Sequence, residues 1–295
     1  MQTVRSNSPH LVEDGVTFKL NNPSKWSLTG YSRAGERTSF KLNELNILLD
    51  CGLALQKPVD MIFMTHNHID HCWGLPNFFD PKAGQSKLKK VHFPASGYEA
   101  LSYLMLASCY LSYPNKKFNK ENCWKQNLLS PVLVNSGDKF KFKGFNVEVL
   151  GAVHTTQSVG YGFSTVKTKL KKEYGSCSQN ELIDLKKNGV TITEEVETPE
   201  FAFYCDSTIH NLEKFDEWKK YPSIVVESTG FEETHTVEQT RQRGHTHFNE
   251  LVPYMMAHRT KNWFLIHTSL KCDESLFVAK EKALKDQGVD VKIIV

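Results

Sequence analysis

The chain has 295 residues, 40% of them hydrophobic and 23% charged, and this composition excludes an intrinsically disordered protein. Its formal net charge of +3 is a mild basic excess that permits a polyanionic partner without requiring one. Seven cysteines without a C-x-x-C pair argue against a disulfide framework and against a thiolate zinc site.

Short strands separated by turn residues are predicted along the first third of the chain. They are Val16 to Leu20, Trp26 to Gly30, Arg37 to Leu42, Leu45 to Asp50, Val59 to Met64 and Lys89 to Phe93. The spacing of apolar residues predicts a helix from Tyr98 to Tyr110, whereas residues 116–126 are polar and weakly patterned.

A β-hairpin is predicted in the middle of the chain, because Lys143-Gly144 separates the strand patterns Lys139 to Phe142 and Phe145 to Leu150. Strands and helices then alternate toward the C-terminus. The strands are Gly160 to Val166, Phe201 to Cys205, Ser223 to Val226, Trp263 to Ile266 and Val289 to Val295, and the helices are Asn249 to His258 and Glu274 to Lys285. Many strands early and α/β alternation late predict an α/β (α+β) protein with two sheets and helices outside them.

Residues 167–200 interrupt this alternation with a polar segment that is rich in lysine at its start. Ser178-x-x-Glu181 within it resembles a capping box, which predicts a short helix through Lys187. The chain has no internal repeat and no low-complexity block. We therefore expect the segment to be a surface excursion from a single domain over residues 1–295.

A histidine-rich run, His66-Asn67-His68-Ile69-Asp70-His71, follows the buried strand that ends at Met64. A regular strand cannot arrange four ligands around one point, but a tight turn that leaves a strand can. Neutral imidazole is a good zinc ligand, and a neighbouring carboxylate favours a second cation and can orient a water molecule. The run therefore predicts a metal site, and its spacing indicates two metal ions.

The longer segment from Thr65 to Pro76 resembles a motif of a known family. It reads T-H-N-H-I-D-H-C-W-G-L-P and is similar to the T-H-x-H-x-D-H-x-x-G-L-P motif of ribonuclease Z-like proteins of the metallo-β-lactamase fold. The resemblance implies a four-layer αββα sandwich and a metal-dependent phosphodiester hydrolase. It also implies three further metal ligands, each at the end of a later strand.

Three residues match these further ligands. His154 precedes Ser158-Val159-Gly160-Tyr161, which is similar to the glycine-tyrosine strand after the family's ligand histidine. Asp206 ends a predicted strand and precedes Ser207-Thr208, which resembles the family's Y-x-x-D-T segment. His267 closes the strand Trp263 to Ile266, which resembles the family's L-x-x-H-x-S ending.

The same resemblance implies how the ligands divide between two metal ions. His66, His68 and His154 would hold one ion, Asp70, His71 and His267 would hold the other, and Asp206 would bridge them. The expected cofactor is two Zn²⁺ per chain, with Mn²⁺ or Fe as alternatives. Two such cations make a hydroxide available near neutral pH and hold the phosphodiester, and Asp70 would orient that hydroxide for in-line attack.

The leaving alkoxide needs a proton, and the family's relay of an acid and a histidine has matches in Glu227 and His245. Glu227 lies in the segment V-E-S-T, where ribonuclease Z proteins usually have H-E-A-T, so the first histidine of that motif is absent here. His245 lies in G-H-T, which is similar to the family's glycine-histidine-serine, and His247 competes for the same role.

Substrate recognition departs from the family pattern at two places. Residues 35–40 occupy the position of a Pro-x-Lys-x-Arg-Asn-type loop, and only Arg37 remains as a basic residue there. The family's glycine-rich arm for transfer RNA falls at residues 167–200, where we expect a short tip. Its lysines could neutralise phosphates or could form an ordinary solvated face. They are Lys167, Lys169, Lys171 and Lys172.

The resemblance favours an endoribonuclease that trims the 3′ ends of precursor transfer RNA. A phosphodiesterase for small or cyclic nucleotides is the alternative on the same fold, and a non-catalytic nucleic-acid-binding relative is a third. We expect a homodimer, because relatives are commonly dimers. No apolar run approaches a membrane span of ~20 residues and no signal peptide is recognisable. We therefore expect a cytoplasmic protein, with the nucleus or an organelle as alternatives.

Overall fold

The computed structural model describes residues 15–20, 26–53, 59–78, 89–232 and 234–295. Within these ranges the chain forms two β-sheets with helices beside them. None of the helices in the described ranges has the length and apolar character needed to cross a membrane.

The first sheet contains seven strands whose order across the sheet equals their order along the chain. They are β1 (Val16–Lys19), β2 (Ser27–Arg33), β3 (Arg37–Leu42), β4 (Ile47–Leu49), β5 (Met61–Phe63), β6 (Lys89–Pro94) and β7 (Leu129–Val134). Strands β1 to β4 pair antiparallel, and strands β4 to β7 pair parallel. The sheet is therefore mixed, with its parallel half leading into the histidine-rich run.

The second sheet repeats this plan with seven more strands in consecutive order. They are β8 (Lys139–Phe142), β9 (Phe145–Gly151), β10 (Val159–Leu170), β11 (Thr193–Phe203), β12 (Ser223–Glu227), β13 (Asn262–Ile266) and β14 (Asp290–Ile293). Strands β8 to β11 pair antiparallel, and strands β11 to β14 pair parallel. The predicted hairpin at Lys143-Gly144 is confirmed, and both turn residues have positive φ (47° and 80°), as a tight hairpin turn requires.

Eight α-helices accompany the sheets in the described ranges. They are α1 (Ile69–Cys72), α2 (Tyr98–Ser112), α3 (Asn122–Gln126), α4 (Gln179–Lys187), α5 (His210–Lys214), α6 (Val237–Gln242), α7 (Phe248–Ala257) and α8 (Glu274–Lys285). Short 3₁₀ turns lie at Leu75–Phe78, Ala95–Gly97, Lys172–Tyr174 and Glu217–Lys220.

Three buried apolar clusters separate four layers, which confirms the predicted αββα sandwich. The central cluster joins the two sheets, with Phe40 of β3 against Phe203 of β11 at a ring distance of 6.0 Å. A second cluster lies between the second sheet and α5, α7 and α8, and a third lies between the first sheet and α2 and α3. Strand β12 illustrates the period of two: Val225 joins the central cluster, whereas Ile224 and Val226 join an outer one.

Two segments differ from their sequence-based descriptions. Strand β7 was not predicted, because Pro131 disfavours a strand; it is tolerated here because β7 is the edge strand of its sheet. Strand β10 was predicted to end at Val166 but continues to Leu170, paired with β11 from Thr193 onward. We call residues 166–197, which extend past the end of β9, the arm.

The arm carries α4, and its predicted capping box is confirmed. The backbone N–H of Ser178 donates to the Glu181 carboxylate at 2.7 Å, and the Glu181 N–H donates to the Ser178 hydroxyl. The sequence did not reveal the two strands of the arm, because both of their faces are largely exposed and no apolar alternation marks them. Much of the expected surface excursion is therefore regular β-structure.

Candidate metal centre

The candidate residues lie at, or shortly after, the carboxyl ends of strands that share one edge of the sandwich. The histidine-rich run follows β5, His154 follows β9, Asp206 follows β11, Glu227 ends β12, and His267 follows β13. In open α/β sheets, the crevice outside the carboxyl ends of the strands is the usual ligand site. The topology therefore brings together residues that are up to two hundred positions apart in the chain.

All seven predicted ligands fall into two groups that share Asp206. The first group is His66, His68, His154 and Asp206, and the second is Asp70, His71, His267 and Asp206. Within each group the potential ligand atoms all lie within 4.8 Å of one another.

Asp206 directs one carboxylate oxygen toward each group. Its Oδ1 lies 3.1 Å from Nε2 of His267 and 3.3 Å from Nε2 of His71. Its Oδ2 lies 3.6 Å from Nε2 of His66 and 3.9 Å from Nε2 of His154. The side chain is almost wholly buried, so a bridging carboxylate would be shielded from water.

Three imidazole nitrogens in the centre fit a metal ion. Nε2 of His66, of His71 and of His267 are buried and have no well-oriented hydrogen-bond partner. A buried polar atom without a partner costs free energy and calls for an explanation. Their lone pairs converge on the same carboxylate, and imidazole with carboxylate is the donor set of zinc and related divalent cations. The residues therefore fit divalent metal binding.

In four of the candidate ligand histidines, the Nδ1 atom has a partner in the protein. His71 Nδ1 lies 3.0 Å from Asp50 Oδ2, His66 Nδ1 3.0 Å from Thr65 Oγ1, His154 Nδ1 2.7 Å from the Gly244 carbonyl, and His267 Nδ1 3.0 Å from Thr229 Oγ1. Such outer partners fix the tautomer and the ring orientation of a ligand histidine. They leave Nε2 free to face the centre.

The electrostatics of the centre also favour a cation. Burial lowers the pKa of His66 well below its ordinary value, and His71 lowers it further, so this ring is neutral. Burial also disfavours charge on His71, but its interactions with Asp206, Cys205 and Asp50 outweigh burial and raise its pKa well above the usual range. The negative field that would hold this proton is the field that attracts a divalent ion.

Glu227 is a buried acceptor beside the two groups. It accepts hydrogen bonds from the Ser207 N–H at 2.6 Å, from the Thr229 hydroxyl, and from His245 Nδ1 at 2.9 Å. Burial lowers the pKa of His245, but the charge and hydrogen bond of Glu227 outweigh it and raise the pKa to about 9. His245 is therefore a protonated group at the edge of the centre, with its ring 5.3 Å from that of His154.

His247, the competing histidine, is engaged elsewhere. Its Nδ1 accepts from the Asn249 N–H at 3.2 Å at the start of α7, and its Nε2 donates to the His235 carbonyl at 3.0 Å. It is buried, and both ring nitrogens are occupied. His245 is thus the histidine that faces the centre.

The candidate substrate residues lie in different places. Arg37 is exposed at the start of β3. The carbonyl of the next residue, Thr38, accepts a hydrogen bond from the Gly52 N–H. Gly52 in turn lies so close to the Asp70 carbonyl that a Cβ on it would clash. Arg37 therefore lies near the short helix α1 that carries Asp70. Lys169 lies ten strand residues beyond Val159, roughly 33 Å from the centre at ~3.3 Å per residue. The structure does not bring Lys169, or its neighbours Lys171 and Lys172, to the centre.

Two residues of the centre had no role assigned from sequence. Asp50 contacts both Thr65 and His71, and Thr229 contacts both Glu227 and His267. Asp50 ends a predicted strand, and Thr229 follows Glu227. Neither sequence position identifies the distant partner that gives the residue its role. Only the three-dimensional pairing of β4 with β5 and of β12 with β13 supplies it.

No family model matches the chain. It is 32% identical over 253 residues to tRNase Z TRZ1 of Arabidopsis thaliana, which covers 83% of this chain and 86% of the relative. It is 26% identical over 251 residues to the chloroplastic tRNase Z TRZ2 of the same plant, which covers 83% and 68%.

Solved structures agree on the fold. The short form of human tRNase Z superposes with a TM-score of 0.53 at 16% identity, over 90% of this chain and 95% of that one. The metallo-β-lactamase fold protein YhfI of Bacillus subtilis gives a TM-score of 0.52 at 10% identity, over 89% and 93%. The chain is therefore a metal-dependent hydrolase of the metallo-β-lactamase fold, and it belongs to the tRNase Z family.

Proposed function

We propose that this chain is an endoribonuclease that cleaves precursor transfer RNA at the 3′ end with two divalent cations. The observation that carries the proposal is Asp206, whose two oxygens face two separate groups of ligand atoms. The tRNase Z relatives support RNA as the substrate, because relatedness extends over most of both chains.

Seven residues would hold the cations. One ion would be held by His66, His68 and His154, the other by Asp70, His71 and His267, with Asp206 shared by both. Zinc suits this donor set, and Mn²⁺ or Fe could occupy the same ligands. When bound, the two ions would supply Lewis acidity that favours deprotonation of water and neutralises charge on the phosphodiester.

Asp70 is the residue of this chain that would orient the attacking water. Its side chain is 12% exposed, so it reaches the cleft, whereas the Asp206 side chain is buried. Its Oδ2 lies 3.6 Å from His71 Nε2 and 3.7 Å from His267 Nε2. A carboxylate in this position can accept a hydrogen bond from water at the reacting phosphorus.

His245 would donate the proton that the leaving oxygen needs. Glu227 occupies Nδ1 of this ring, so the proton available to substrate is the one on Nε2. Glu227 orients the ring and stabilises its charge, as a buried carboxylate does for a catalytic histidine in other hydrolases. His245 thus acts on the substrate, and Glu227 acts through His245.

Recognition of the RNA would involve both the rim of the centre and the arm. Arg37 lies near helix α1, which carries Asp70, and could contact a phosphate close to the cleavage site. Lys169, Lys171 and Lys172 lie far from the centre of their own chain, so they suit contacts with the body of a long RNA. The same separation is compatible with a homodimer in which the arm of one subunit serves the site of the other.

Parallel assays on three substrates test the proposal. The metal-loaded protein is given a precursor transfer RNA with a 3′ trailer, a cyclic nucleotide and bis-p-nitrophenyl phosphate. We expect cleavage of the RNA at one position, lost in Asp206→Ala and retained in the control Asp286→Ala, an exposed residue that directly follows the last helix. Hydrolysis of the small esters alone would eliminate the endoribonuclease and favour the alternative phosphodiesterase.

A further inference from the structure

Two exposed cations lie close in sequence to His245 and His267, whose rings stack 5.4 Å apart. Arg243 precedes Gly244, whose carbonyl accepts the hydrogen bond from His154 Nδ1 at 2.7 Å. Lys271 lies four residues after His267, in the turn that follows β13. Chain geometry therefore places each cation within a few residues of a group that belongs to the centre.

The two cations also face a common neighbour. The pKa of His235 is lowered first by burial and then by the positive charges of Arg243 and of Lys271, with smaller contributions from His247 and His245. Contacts place the two turns side by side: His247 Nε2 donates to the His235 carbonyl at 3.0 Å, and Thr234 Oγ1 lies 3.3 Å from Cys272 Sγ, so residues 234–235 join the segment after Arg243 to the turn of Lys271. His245 is part of the same group of positive charges.

Neither cation is neutralised in the part of the chain that the structure describes. Arg241, two positions before Arg243, pairs with Glu250, and Lys280 on α8 pairs with Glu232. By contrast, no carboxylate among the described residues lies within ion-pairing distance of Arg243 or Lys271. Unpaired like charges repel one another, and an anion between them relieves that repulsion.

The backbone presents both side chains from tight turns. The Ser269 carbonyl accepts from the buried guanidinium of Arg33 at 3.0 Å and from the Cys272 N–H at 3.1 Å, which fixes the turn that carries Lys271. The Arg243 N–H donates to the Thr240 carbonyl at 3.2 Å, and Gly244 adopts a positive φ of 81° directly after it. Side chains held on fixed turns lose less freedom when they bind.

We propose that Arg243 and Lys271 bind backbone phosphates of the RNA fragment that ends in the newly released hydroxyl. This inference rests on the proposed function. In hydrolysis, water attacks the phosphorus, the bond from phosphorus to the leaving oxygen breaks, and that oxygen takes the proton from His245. The nucleotides attached to the leaving oxygen must therefore continue past His245, where the two cations lie. The other fragment keeps the phosphate and leaves on the side of the metal ligands.

Binding of the two product RNAs separately tests this assignment. The metal-loaded wild type is compared with Arg243→Ala, Lys271→Ala and the double variant, by measuring affinity for the hydroxyl-ended product and for the 5′-phosphorylated trailer over a range of salt. Arg259→Ala and Lys292→Ala are matched controls, because both residues are exposed cations that lie elsewhere and have no carboxylate partner among the described residues. Thermal midpoints and metal content verify that each variant is folded.

We expect the double variant to lose roughly 10- to 100-fold in affinity for the hydroxyl-ended product, and its salt slope to fall by between about one and two. The controls should bind that product as the wild type does. An unchanged affinity of the double variant, or an equal loss for both products, would overturn the assignment. In that case the proposed function still stands if the wild type cleaves precursor RNA. If the wild type cleaves no precursor RNA, the proposed function itself fails.

Discussion

Thr229 uses one hydroxyl group to connect a candidate metal ligand with the carboxylate that orients the proton donor. Its Oγ1 lies 3.0 Å from His267 Nδ1, and it donates to Glu227. Because a hydroxyl both donates and accepts, this arrangement holds the proton of His267 on Nδ1 and leaves Nε2 for the metal. Thr229 is therefore a positioning residue for both functions of the centre.

Replacing Thr229 tests this connection. We expect Thr229→Val, which keeps the shape of the side chain but removes the hydroxyl, to reduce metal affinity or turnover by about 10- to 100-fold. Thr229→Ser should restore most of the loss, because it restores the hydroxyl. The measurement is turnover against metal concentration, and equal behaviour of the Val and Ser variants would show that only side-chain volume matters.

The proton donor can be separated from the metal ligands by a second comparison. His245→Asn and Glu227→Gln should each lower the turnover of precursor RNA by about 10²- to 10⁴-fold, the contribution typical of a general acid. Metal content should stay near that of the wild type, because neither residue is among the seven ligands. Loss of metal in these variants would instead assign Glu227 or His245 to metal binding.

For single residues, the sequence predicted a function where the functional residues are close together in the chain. The run from His66 to His71 could be read directly, because six positions carry four potential ligands. Asp50 could not be read in the same way: its role depends on contacts with Thr65 and His71, fifteen and twenty-one positions away. Such a partner becomes visible only when the strands are paired.

Among the elements, the arm differs most from its sequence-based description. The arm contains six lysines and six acidic residues, so its net charge is close to zero. Lys169 lies opposite Glu194 in the strand register, and Lys141 of β8 contacts Glu195 at 2.7 Å. The tip beyond Leu170, where Lys171 and Lys172 lie, is therefore the part of the arm in which lysine charge is concentrated.

Removing that charge tests what the arm contributes. We expect the triple variant Lys169→Ala, Lys171→Ala, Lys172→Ala to raise KM for full-length precursor transfer RNA more than for a short duplex with the same 3′ trailer. The reason is distance, because a short duplex at the centre does not span the roughly 33 Å to the tip. Equal changes in KM for both RNAs would mean that the arm does not contact the RNA body.

For the whole molecule, the spacing of apolar residues along the chain predicted the two-sheet architecture. Strands such as β12 alternate between two apolar clusters, and helices such as α7 cover one of them, so period and element order together predicted the four layers. The apolar pattern could not predict β7, whose proline is tolerated at a sheet edge. It also could not predict the exposed end of β10. These elements depend on position in the sheet, which local sequence does not encode.

Metal removal should lower the stability of the whole fold, because the ligands come from loops of both sheets. A cation present at about a hundred times its Kd stabilises the native state by roughly 2.7 kcal/mol. For a chain of this size that corresponds to a fall in Tm of roughly 5 to 10 °C on chelation. Calorimetry with and without chelator measures it, and re-addition of zinc should restore Tm. An unchanged Tm after verified metal removal would contradict a centre that links the sheets.

The most direct measurement of the central claim is the number of metal ions bound per chain. Elemental analysis of the purified wild type should give about two divalent ions, and Asp206→Ala should retain at most one, because each of its oxygens faces a different group. The control Asp286→Ala should retain both ions. A wild type without bound metal, or an Asp206→Ala variant that keeps two ions, would contradict the bridged two-metal centre.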